Sequence, residues 1–89
     1  MSYTIVWSPL ALQNLETIHA YIAIDAPQAA QRVAVELELL GDSLSEMPGR
    51  GRLVGAGTRE LVAGRYLLRY RVEGRVVVVV RLKHSAQAL

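Results

Sequence analysis

Tyr3-Thr4-Ile5-Val6-Trp7-Ser8-Pro9-Leu10-Ala11 turns a strand into a helix within two residues. The first five are β-branched or aromatic, the composition of a short strand. Ser8 can accept a backbone N–H at a helix start, and Pro9 at the first helical position loses no needed donor while its φ is already helical. Ala11, Leu15, Ile18 and Ile22 follow at one-face spacing, so the pattern predicts a helix over 9–24 with that face in the core. Asp25-Ala26-Pro27 interrupts it, because the residue before proline avoids the helical region, and Asp25 offers a second capping side chain. Ala30, Val33, Leu37, Leu40 and Leu44 then form one stripe of a second helix that ends before Met47-Pro48-Gly49. The tight connection predicts an antiparallel helical hairpin. Val35 and Leu39 fall off the stripe, and Gly41 inside the helix costs about 1 kcal/mol against alanine. These exceptions suggest a second contacted face, while Trp7 and Tyr21 are expected as large packing groups in the core.

Residues 48–57 hold four glycines and two arginines and read as a loop. Beyond them the period changes from 3.6 to 2, with strands expected at about 58–63, 65–72 and 75–83 and turns at Gly64 and Glu73-Gly74. For the last hairpin the preferred reading is an odd-length loop, Glu73-Gly74-Arg75. It gathers Tyr66, Leu68, Tyr70, Val72, Val76, Val78, Val80 and Leu82 on one apolar face. A two-residue Glu-Gly loop would instead set Arg81 opposite Tyr66 and Arg75 opposite Val72. The order β-α-α-β-β-β, a helical hairpin on one face of a mainly antiparallel sheet, is an α+β architecture.

Composition narrows the function. The 89 residues suit a single domain, 1–89, and at 52% hydrophobic and 20% charged they can build a core. With no cysteine and two histidines, neither a disulfide framework nor a structural metal site is expected, and no organic cofactor is implied. The longest aliphatic run, Val76 to Val80, is far short of a membrane span, so a soluble cytoplasmic protein is expected. The formal net charge of +2 conceals an asymmetry. Residues 1–46 carry Arg32 against Glu16, Asp25, Glu36, Glu38, Asp42 and Glu46, a balance of −5, whereas residues 47–89 carry nine bases against Glu60 and Glu73, a balance of +7. Eight of those nine are arginines, whose planar forks suit phosphate or carboxylate, so a polyanionic or acidic partner is expected.

Arg50, Arg52, Arg59, Arg69, Arg71, Arg81 and Lys83 are the candidates for that contact, and Val35 and Leu39 could add an apolar groove on the second helix. His84, close to Arg81 and Lys83, has the chemistry of a general acid or base, against the simpler role of a strand-end histidine bonded to backbone. Ser8 has no histidine and acid beside it to make a nucleophile, and its place before Pro9 explains it as a cap. The 49–57 segment lacks the Gly-Lys-Ser/Thr ending of a phosphate-binding loop.

Trp7-Ser8-Pro9-x-Ala11, Leu15, Ile18, Tyr21-Ile22 and Pro27-x-Ala29-Ala30 resemble the N-terminal signature of the RelE/ParE superfamily of bacterial type II toxin–antitoxin toxins. Met47-Pro48, Gly51-Arg52, Thr58-Arg59-Glu60-Leu61, Tyr70-Arg71-Val72 and Arg81-x-x-His84 extend the likeness over almost the whole chain. The resemblance implies a growth-arresting toxin held by a cognate antitoxin, ParD-like with an acidic C-terminal segment, and one of two activities. RelE-like members cut mRNA in the ribosome; ParE-like members poison DNA gyrase and are not nucleases. Nucleolytic relatives commonly carry an arginine where this chain has Leu67, and often a tyrosine near the C-terminus, whereas none follows Tyr70 here. The ParE-like branch fits better, with no catalytic residue; the mRNA endonuclease alternative would use Arg59, Arg81 and His84. A degenerate homologue that only binds its antitoxin is the third reading.

Overall fold

The computed structural model describes residues 2–85. Strand β1 (Thr4–Trp7) runs into helix α1 (Pro9–Ala23), whose start is fastened on two sides by one hydroxyl. Ser8 Oγ accepts the Ala11 N–H at 3.0 Å and donates to the Val80 carbonyl at 2.7 Å, so the cap also ties the helix to the last strand. Ser8→Ala is expected to cost about 1–2 kcal/mol, read as a lower urea midpoint at unchanged slope. An unmoved midpoint would show that the cap contributes nothing.

Helix α2 (Pro27–Asp42) continues into a 3₁₀ turn (Ser43–Ser45). Ala30, Leu37 and Leu44 of the expected stripe are buried, and Val33 and Leu40 pack partly buried against the core. Asp25 does not cap this helix: Ala26 holds the N-cap position and no side chain bonds there, Asp25 lying one residue too early. Gly41 has a reason beyond helix propensity. A Cβ there would lie 2.7 Å from Cζ2 of Trp7, so the glycine lets the indole lie against α2. Val35 and Leu39 form no second packed face among the described residues, both side chains being exposed. Tyr21, expected in the core, is 76% exposed, while Trp7 packs partly buried on the core as expected.

The remaining strands are β2 (Arg52–Gly55), β3 (Thr58–Ala63), β4 (Tyr66–Glu73) and β5 (Val76–His84). They form one sheet in the order β1-β5-β4-β3-β2, antiparallel except for the parallel pair β1 and β5. Strand β2 falls inside the segment expected to be a loop. Its glycines misled the reading because Gly57, at φ +74°, serves the turn between β2 and β3, and Gly51 serves a close approach to Tyr70.

The last hairpin also departs from expectation. Glu73 pairs with Val76 around a two-residue Gly74-Arg75 turn, with Gly74 at φ +61°, the first-position glycine of a type II′ connection. Neither the three-residue loop nor the Glu-Gly loop occurs. The consequence is a face swap: Val77 and Val79, not Val76 and Val78, lie with Val72 and Tyr70 on the helix side. Val80 is then the extra residue of a bulge, since Tyr70 pairs with Val79 and Arg69 with Arg81, and the bulge restores Leu82 to the helix side opposite Leu68. The core between helices and sheet is Ala11, Leu37, Leu44, Leu61, Leu68, Tyr70, Val77, Val79 and Leu82.

Candidate functional site

The register that turns Val77 and Val79 inward turns a row of charge outward. Arg52, Glu60, Arg69 and Arg81 pair in succession across β2, β3, β4 and β5, so the four side chains share the face away from the helices. Next along the strands lie Val62, Leu67 and Lys83, and on the other side Thr58, Arg71 and Val78. Glu60, only 6% exposed, is the hub: its Oε2 accepts from Arg69 Nε at 2.8 Å and its Oε1 lies 3.6 Å from an Arg52 terminal nitrogen. The hydrogen bond from Arg69 holds the Glu60 carboxyl below its usual pKa against the opposing effect of burial, and the charges of Arg69 and Arg52 lower it further. A groove of about 490 Å³ opens beside this hub, lined by Arg52, Leu53, Val54, Glu60, Val62, Leu67 and Arg69.

The candidate residues therefore divide. Arg52, Arg69, Arg71, Arg81 and Lys83 are brought to the outer face, where Arg71 also pairs with Glu73 at 2.9 Å. Arg50 and Arg59 are not. Arg50 donates to Ser43 Oγ at 2.8 Å, and Arg59 lies on the helix side beside Tyr70, donating to the Gly51 carbonyl at 2.7 Å and, more weakly, to Gly49 at 3.3 Å. Both brace the segment that leads into β2. Val35 and Leu39 form a separate exposed patch on α2.

Arg59, Arg81 and His84 do not converge. Arg81 is on the outer face; His84 is on the helix side, its ring edge-on to Tyr66 at 5.3 Å between centroids. The strand neighbours of Arg59 and His84, Tyr70 and Tyr66, are four residues apart, about 13 Å along β4. His84 instead borders a second cavity, about 500 Å³, between α1 and the ends of β4 and β5, with Tyr21, Ile18, Ile22, Arg65 and Lys83 also on its walls. Among the described residues, no group of three His, Asp or Glu side chains is placed to hold a metal ion, and no helix is long and apolar enough to cross a membrane.

A family model for the ParE toxin of the type II toxin–antitoxin system parDE matches residues 5–89. The chain belongs to the ParE toxin family. It is thus the toxin of a type II toxin–antitoxin system. The toxin is 45% identical over 84 residues to Toxin RelE2 of Caulobacter vibrioides, covering 93% of this chain and 96% of the relative. It is 35% identical over 91 residues to Toxin RelE1 of the same organism, covering 98% of each. The toxin's fold superposes on a chain of the chromosomal ParDE system of P. aeruginosa with a TM-score of 0.85 at 19% identity, over 93% of this chain and 96% of that one. It matches a chain of the RelBE2 complex of Mycobacterium tuberculosis with a TM-score of 0.69 at 27% identity, over 94% and 99%. Two helices packed on a mostly antiparallel sheet are the RelE/ParE architecture expected from the sequence.

Glu60, the hub of the outer face, was missed by the sequence reading, as were Val62 and Val54 in the groove floor. The available signal was an acid standing almost alone in a basic half; its partners were hidden because β2 was not recognised as a strand.

Proposed function

We propose that the toxin acts as ParE-like members do, by inhibiting DNA gyrase in the cytoplasm without a chemical step of its own, and that a cognate antitoxin holds it inactive. The observation that carries this reading is the scatter of the nuclease candidates: Arg59 braces a loop, Arg81 faces outward and His84 meets Tyr66 edge-on at the far end of the sheet. Catalysis of mRNA cleavage needs a proton acceptor and phosphate ligands within hydrogen-bond reach of one ribose and one phosphate. Leu67, where nucleolytic relatives commonly carry arginine, is a buried aliphatic in the outer-face groove. The ParE family match supports the same branch. Arg52, Arg69, Arg71, Arg81 and Lys83 supply the contact surface for an acidic partner, with Val35 and Leu39 as a second, apolar patch. The antitoxin partner is supported by the structural neighbours, which are toxin–antitoxin systems.

The test is supercoiling of relaxed plasmid by purified gyrase with and without the toxin, with stabilised cleavage complexes scored on the same gel. Inhibition with trapped cleavage is expected, and His84→Ala should retain it in full. The competing reading, a ribosome-dependent mRNA endonuclease, draws on the RelE names of the two Caulobacter relatives. It would be favoured by inert gyrase assays together with mRNA cleavage that His84→Ala abolishes. No growth arrest on expression would instead indicate a degenerate homologue that only binds its antitoxin.

A further inference from the structure

Arg69 of β4 stands directly opposite Arg81 of β5 on the outer face. Like charges in cross-strand register repel each other, so such a pair is unfavourable unless an anion lies between or beside them. The row that contains them holds three arginines and one carboxylate, and that carboxylate serves one member of the pair: Glu60 accepts from Arg69 Nε and faces Arg52 on its other side. Among the described residues nothing comparable serves Arg81, whose Nε is buried and without a hydrogen-bond partner there. A buried guanidinium N–H without a partner, in cross-strand register with a second arginine, is an arrangement stabilised by an oxyanion that reaches both side chains.

We infer that the Arg69–Arg81 pair is a carboxylate clamp, the seat for an acidic side chain within an aliphatic peptide segment of the antitoxin. The inference rests on the reading of this protein as a toxin held by an antitoxin, and it adds where and by what chemistry the antitoxin is read. The aliphatic lining of the neighbouring groove favours a peptide over a nucleic acid. The groove next to Arg69 is floored by Leu53, Val54, Val62 and Leu67, with Val62 66% exposed, and contains no aromatic ring. Aliphatic side chains match those of a peptide and offer nothing to a phosphate backbone, and single-stranded nucleic acid sites rely on stacking platforms that this face lacks. A peptide laid over this face with acidic and aliphatic residues would present a carboxylate to Arg69 and Arg81 and methyl groups to Val62 and Leu67.

The test uses the full-length toxin and three probes in calorimetric titrations: a synthetic peptide alternating glutamate with valine, the same peptide with glutamine for glutamate, and a duplex DNA oligonucleotide. The glutamate peptide should bind, and Arg81→Met, which keeps the stem and breaks no internal ion pair, should weaken it about tenfold. Arg81→Lys should lose part of that, because lysine keeps the charge without the fork. Thermal unfolding of both variants guards against misfolding. Equal binding of the glutamine peptide, or undiminished binding by Arg81→Met, would overturn the inference. So would duplex DNA that binds more tightly than the peptide with the same dependence on Arg81, which would make the pair a phosphate site. The gyrase assay separates this from the functional reading: a toxin that binds the glutamate peptide through Arg81 but leaves gyrase untouched keeps the clamp and loses the target. A toxin that inhibits gyrase but ignores the peptide does the reverse.

Discussion

Gly51→Ala should lower the stability of the toxin by about 3 kcal/mol, one of the two largest effects expected of a single substitution in this fold. A Cβ at Gly51 would sit 2.8 Å from both Cε1 and the hydroxyl of Tyr70, and 2.9 Å from the carbonyl oxygen of Glu60. None of these atoms can easily yield. Tyr70 is fully buried in the centre of β4, and its hydroxyl is fixed at both ends, donating to the Pro48 carbonyl at 2.7 Å and accepting the Gly51 N–H at 2.8 Å. The Glu60 carbonyl is backbone. The added methyl must therefore push the segment before β2 away from the sheet and break the Tyr70 bonds, and Arg52 next in sequence moves with it. The check is urea unfolding followed by circular dichroism. In a Tyr70→Phe background the penalty should shrink, because the hydroxyl contact and the bonds it holds are already gone. The residual cost reports on the two contacts that phenylalanine leaves in place, ring atom Cε1 and the Glu60 carbonyl. A penalty below about 1 kcal/mol in the parent would mean that the loop shifts freely and that Tyr70 does not anchor β2.

The helical half was legible because its signals are local. Ser8 and Pro9 announce the start of α1 with chemistry confined to one turn, and the spacing of Ala30, Leu37 and Leu44 needs nothing but the helix period. The sheet was legible strand by strand but not in its pairing. A run of five valines reads the same on either face, so only the turn decides which of them are buried, and the Gly74-Arg75 connection is one residue shorter than the loop preferred from the sequence. The bulge at Val80 then hid the error at Leu82, which reaches the core as expected although Val76 and Val78 do not. The outer-face site suffered most from this. Its members come from four strands, and Arg52 could not be placed next to Glu60 while residues 48–57 read as a loop. The charge asymmetry pointed to the basic half but carried no information about faces, so Arg59 was grouped with Arg69 although it lies on the opposite side of the sheet.

Glu60→Gln should cost about 2 kcal/mol near neutral pH and progressively less in acid. The carboxylate is buried, so its removal from water is unfavourable, and what compensates is the bond from Arg69 Nε, with Arg52 contributing less because its side chain is 76% exposed and its approach is 3.6 Å. Arg69 itself is about one-third exposed, which places the cost below that of breaking a fully buried pair. Glutamine keeps the shape but must turn either an oxygen without charge or an amide donor toward the guanidinium. The pH dependence follows from the sign of the pKa shift. Glu60 titrates lower in the folded toxin than its ordinary value of 4.5, so the unfolded chain takes up the proton first as the solution is acidified. The stabilisation is complete above that ordinary value and is lost as the pH falls through the folded one. The stability difference between parent and Glu60→Gln should therefore be constant near neutrality, begin to close below about 4.5, and vanish at lower pH. Denaturant titrations of both proteins across that range would measure it. A difference that stays flat in acid would mean that the charge of Glu60 does not stabilise the fold, and that Arg52 and Arg69 are held beside it by packing alone.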